Sequence, residues 1–149
     1  SDAARTHAVG EVSEEAKKLI QVTKECFFEG IKYAKAGNHL FDISGAIGRY
    51  AEERGYGVVR DLCGHGIGTA LHEAPEIPNY EVGRKGVRLR PGMTLAIEPM
   101  INIGTYEVDW LDDDWTVVTR DGSLSAHYEN TILITEGEPR ILSLTCDNE

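Results

Sequence analysis

The chain has 149 residues, and its 15 Lys+Arg against 25 Asp+Glu give a formal charge of −10 at pH 7. With 41% hydrophobic and 27% charged residues its composition is globular rather than disordered, and its length fits one domain. An acidic balance without a Lys/Arg cluster speaks against a nucleic-acid partner, and no apolar run approaches the roughly 20 residues of a membrane span.

The start, Ser1-Asp2-Ala3-Ala4-Arg5, has neither a signal peptide's apolar stretch nor an initiator Met. This leads us to expect a chain that begins inside a longer product. Cys26, Cys63 and Cys146 are scattered and form no Cys-x-x-Cys pair. They read as buried or idle thiols in a reducing compartment, the cytoplasm.

Residues 2–9 alternate as a strand, with Asp2, Ala4, Thr6 and Ala8 on one face. Ser13 is placed to cap a helix with Glu14 and Glu15 in its first turn. Leu19, Ile20, Thr23, Cys26, Phe27 and Ile31 repeat at helical spacing, and Gly37 ends the pattern. A second helix is expected from an Asp42 cap through Ile43, Ala46, Ile47 and Tyr50 to Gly55. Beyond Gly55, strands are predicted at Val58-Val59, Thr94–Glu98, Trp115–Arg120, Leu124–Thr135 and Arg140–Leu144. Asp121-Gly122 signals a hairpin between two of them. Two helices followed by antiparallel strands predict an α+β layer with helices on one face of the sheet.

Three segments are candidates for chemistry. Gly64-His65-Gly66-Ile67-Gly68, followed by Leu71-His72-Glu73-Ala74-Pro75, lets backbone approach closely around two imidazoles. It lacks both the phosphate-loop lysine and the dinucleotide fingerprint. Either His, taken alone, reads more readily as a structural residue than as a functional one. Glu98 follows the apolar run Thr94–Ile97, where a carboxylate is paired, protonated, metal-bound or turned outward. In Ser125–Ile132, alternation puts His127, Glu129 and Thr131 on one face, so Glu129 either serves a site or pairs with a Lys or Arg. Asp2, His65, Glu98 and Glu129 together are three carboxylates and an imidazole, a set suited to Mn, Fe, Co or Zn, with bridging carboxylates able to hold two ions.

Ser1–Thr6, Gly64–Gly68, His72–Pro75, Pro91–Thr94, Ile97–Met100, Asp114–Val117 and Ser123–Thr131, in this order, resemble type I methionine aminopeptidases. These share the pita-bread fold with prolidase and creatinase, and the resemblance runs from Ser1 to about Leu144. It implies an incomplete pita-bread fold in which residues 1–149 are a C-terminal portion of the catalytic domain. It implies metal ligands at Asp2, His65, Glu98 and Glu129, and a substrate-amide contact at His72. A methionine pocket is implied at Leu71, where an aromatic is expected, and at Trp115. His127-Tyr128-Glu129-Asn130-Thr131 stands where prolidase-like relatives carry an Arg-Ile-Glu type of sequence. The family's first metal aspartate has no counterpart within these residues, so one ion keeps its full ligand set and a second only Asp2 and Glu129. The expected activity is hydrolytic removal of N-terminal methionine through a metal-activated water, with Glu98 relaying the proton. The alternatives are a metal-binding fragment of that enzyme that is inactive or depends on a separate N-terminal chain, and an X-Pro peptidase of the prolidase-like kind.

Overall fold

The structure, a computed structural model, describes residues 1–144. Cys146 lies outside the described residues.

In chain order the elements are β1 (Ala3–Arg5), α1 (Glu14–Ile31), α2 (Leu40–Glu52), β2 (Gly57–Val58), β3 (Gly64–Gly66) and β4 (Glu73–Ile77). They continue with β5 (Thr94–Ile97), β6 (Met100–Asn102), β7 (Val108–Trp110), β8 (Val117–Thr119), β9 (Ser125–Leu133) and β10 (Arg140–Ile141). The main sheet is ordered β2-β6-β9-β5-β3-β4. Along one edge of β9 run β5 and β6, interrupted only by Glu98-Pro99, because proline has no N–H for the ladder. β1 and β10 pair with its other edge. All these pairings are antiparallel, and β7 and β8 form a separate two-stranded ribbon.

Both helices cover one face of the sheet. Phe27, Ile43 and Ile47 of the helices are buried with Leu95, Ile97, Ile101, Tyr128 and Ile132 of the strands in one cluster. Phe27 is fully buried, with its ring centroid 5.3 Å from that of Tyr128. Burying so many large apolar side chains between layers is the main source of stability. The α+β layer predicted from the sequence is therefore the observed one. No helix among the described residues is long and apolar enough to cross a membrane.

Several features differ from expectation, and the expected strands at Trp115–Arg120, Leu124–Thr135 and Arg140–Leu144 shorten to β8, β9 and β10. β1 is only three residues long because Thr6 replaces the ladder with its side chain. The His127 N–H donates to Thr6 Oγ1 at 2.8 Å, and Thr6 Oγ1 donates to the His127 carbonyl at 3.1 Å. α1 starts as predicted, with Ser13 Oγ accepting from the Ala16 N–H at 3.1 Å, but ends at Ile31, ahead of Gly37. The cap of α2 is His39, not Asp42. The carbonyls of Val87 and Lys85 accept the first helical N–H groups, of Leu40 and Phe41, while the Asp42 carboxylate accepts the His39 N–H at 2.8 Å. Finally, Asp121-Gly122 makes a tight turn, yet β8 pairs with β7 and β9 with β6, so no two-stranded hairpin forms across it.

Candidate metal centre

The register brings the site together. Across β9, Ala4 lies opposite Glu129, and Ala96 and Met100 lie opposite Thr131 and His127. The β5–β9 and β6–β9 pairings keep one register across the Glu98-Pro99 gap, so Glu98 faces Glu129 directly. One strand further, His65 is opposite Ala96. Partners across an antiparallel ladder point to the same face, so Asp2, His65, Glu98, His127 and Glu129 project from the face opposite the helices.

The glycines around His65 have a steric cause. A Cβ at Gly64 would collide with the Ala96 carbonyl oxygen, and one at Gly66 with that of Ala74. β3 is clamped between β4 and β5, and only Gly-His-Gly lets both neighbours approach while a single imidazole projects.

His65 Nδ1 lies 2.9 Å from the Gly66 carbonyl oxygen. A carbonyl only accepts, so Nδ1 carries the proton and Nε2 presents its lone pair to the site. That nitrogen sits 3.5 Å from Glu98 Oε1 and 3.9 Å from Asp2 Oδ2. In two overlapping groups, Asp2–His65–His72 and His65–Glu98–Glu129, one ligand atom of each residue lies within 4.8 Å of the others. Glu129 is 4% exposed, and its Oε1 is buried without a hydrogen-bond partner. Burial, reinforced by the Glu98 and Asp2 charges, pushes its carboxyl from an ordinary 4.5 up to about 7. A lone pair and converging carboxylates, with a buried oxygen left unpaired, are reconciled by a cation. The donor set therefore fits a divalent ion.

The four predicted ligands thus lie on one face, with His65 common to a group that holds Glu98 and Glu129 and to a group that holds Asp2 and His72. His72, predicted as a substrate contact, stands over His65 with ring centroids 4.2 Å apart and borders a cavity of about 530 Å3 with Cys63, His65 and Glu76. Leu71 is 54% exposed. Trp115 is 86% exposed, beside Leu62, Trp110 and Val117 along a separate, shallow cavity. Neither residue is brought to the ligand set. Among the described residues one participant was missed: His127, whose Nε2 is 3.4 Å from Glu98 Oε2. Its shared parity with Glu129 in β9 was the available signal.

Residues 1–136 match the model of metallopeptidase family M24. A methionine aminopeptidase of Clostridium acetobutylicum is 60% identical over 143 residues, which cover 96% of this chain and 57% of that protein. The crystal structure of a methionine aminopeptidase from Thermotoga maritima superposes with a TM-score of 0.92 at 50% identity, over 96% of this chain and 57% of that one. Prolidase from Pyrococcus furiosus is more distant, with a TM-score of 0.74 at 28% identity over 97% of this chain and 37% of that one. The layered pita-bread architecture is common to these relatives, and the chain spans little more than half the length of the methionine aminopeptidases it matches. Sheet, ligand face and sequence agree, and the chain belongs to metallopeptidase family M24.

Proposed function

We propose that these residues form the C-terminal portion of a methionine aminopeptidase catalytic domain, working in the cytoplasm, which removes N-terminal methionine from peptides by metal-dependent hydrolysis. The observation that carries this reading is the convergence of Asp2, His65, Glu98 and Glu129 on one sheet face, with the His65 lone pair turned into the site. Those four residues would hold Mn, Fe, Co or Zn. Such an ion supplies Lewis-acid activation of water at neutral pH.

The remaining work falls to side chains. Glu98, flanked by His65 and His127, accepts the proton from the attacking water and returns it to the leaving amine. His72 donates a hydrogen bond to the scissile amide and to the oxygen on which negative charge develops. Leu71 and Trp115 are assigned to the methionine side chain by resemblance. Both are exposed and open to substrate.

The test is methionine release from a Met-Ala-Ser peptide with added Mn or Co. Release supports the reading, whereas cleavage of X-Pro peptides alone would replace it with a prolidase-like one. His72→Ala is expected to lower kcat by about 10²–10³-fold without changing how many ions bind. Loss of an ion instead would make His72 a ligand. A second reading is metal binding without turnover until the remaining part of the enzyme is present, because these residues span only 57% of the Clostridium acetobutylicum relative. Turnover that appears only on adding that part would establish it.

A further inference from the structure

We infer that His127 is a positioning residue for Glu98: its Nε2–H holds the Oε2 oxygen and so turns Oε1 toward the ion. The inference rests on the metal-centre reading above.

Glu98 is caught between two imidazoles. Its Oε1 lies 3.5 Å from His65 Nε2, and its Oε2 lies 3.4 Å from His127 Nε2. His127 Nε2 is buried and has no hydrogen-bond partner. The ring borders a cavity lined by apolar Leu62, Met100, Val108 and Val117 and by Thr119 and Ser125, whose hydroxyls donate to the Ser123 and Ile101 carbonyls. Glu98 Oε2 is the acceptor it faces, and the 3.4 Å gap closes with a small turn of either side chain. Contacts of this kind are often long in a free site and tighten when it fills.

Both backbones are already fixed. Thr6 brackets the peptide groups of His127 with two hydrogen bonds, and Met100 sits opposite it across the ladder. The Glu98 carbonyl accepts from Asn79 Nδ2 at 3.1 Å. What is left free is the torsion of the Glu98 carboxylate, and a donor on the oxygen facing away from the ion sets it. Ligating carboxylates are commonly held in this way, and loss of such a partner typically costs about 10–100-fold in metal affinity.

The experiment is calorimetric titration of Mn²⁺ into the full chain as wild type, His127→Gln and His127→Met. Glutamine keeps an N–H at similar reach, whereas methionine matches its length without a donor. The inference expects His127→Gln to bind as wild type does and His127→Met to bind about 10–100-fold more weakly. Equal binding by wild type and His127→Met overturns it, and so does equal weakening in both variants, which marks a packing role alone. A wild-type chain that binds no ion overturns the metal centre and this inference with it. Should His127→Met not fold, ¹⁵N-histidine NMR of the wild type with Zn²⁺ decides. An exchange-protected His127 Nε2–H signal supports the hydrogen bond, and its absence overturns it.

Discussion

Asp2 shows how little a residue's type reveals until its register is known. Alone it is one acid among 25. Pairing of β1 with β9 sets its N–H 2.7 Å from Thr131 Oγ1 and its carboxylate beside His65. His65 was more legible, because glycines on both sides of a histidine have few uses other than close backbone approach. Gly66→Ala is therefore expected to destabilise the fold by about 1–3 kcal/mol, read as a lower urea midpoint, since the new Cβ meets the Ala74 carbonyl. Glu129 makes a pH prediction. Its carboxyl titrates near about 7 in the folded chain against an ordinary 4.5, so folding disfavours the charged form. Stability is full below 4.5 and is lost as pH rises toward about 7, where the unfolded chain has released a proton that the folded chain keeps. In chelator, the Tm of the wild type should fall across that window, and Glu129→Gln should flatten the fall. Identical slopes would contradict the assignment. His127 lay outside the set read from sequence because its parity with Glu129 marks a shared face without assigning it a role.

Elements were legible where they were long and periodic. The apolar stripe of α1 and its Ser13 cap were readable, and Ser13→Ala should cost roughly 0.5–2 kcal/mol, measured by denaturant unfolding. Phe27→Ala empties the contact between α1 and Tyr128 and should cost about 3–5 kcal/mol. The short strands were not legible. β3 is Gly-His-Gly, a sequence with no intrinsic strand preference, and it is extended because β4 and β5 hold it from both sides. β6 follows a proline, and β7 pairs only with β8. The cap of α2 was misplaced because its first N–H groups go to carbonyls more than 40 residues further along the chain, which no local pattern reveals.

The whole molecule divides its labour between the two faces of one sheet. Helices and apolar residues fill one face, and the opposite face carries the acids and imidazoles. Alternation along β9 made this division readable: Tyr128 and Ile132 point to the helices, while His127, Glu129 and Thr131 point to the site. The expectation of no basic cluster needs correcting. Arg84, Lys85, Arg88 and Arg90 are all exposed within seven residues, although Asp42 and Glu81 line the same cavity as the first two. Apart from those cations the chain is acidic, and the charges of Glu98 and Asp2 act on the buried Glu129 carboxyl, a repulsion that a bound cation relieves. Metal binding is thus the property on which the account depends. Calorimetric titration of Mn²⁺ or Co²⁺ into the wild type and His65→Ala tests it directly, because His65 belongs to both ligand groups. At least one ion should bind to the wild type and none to His65→Ala, whereas equal binding by the two proteins would rule out a metal centre at His65.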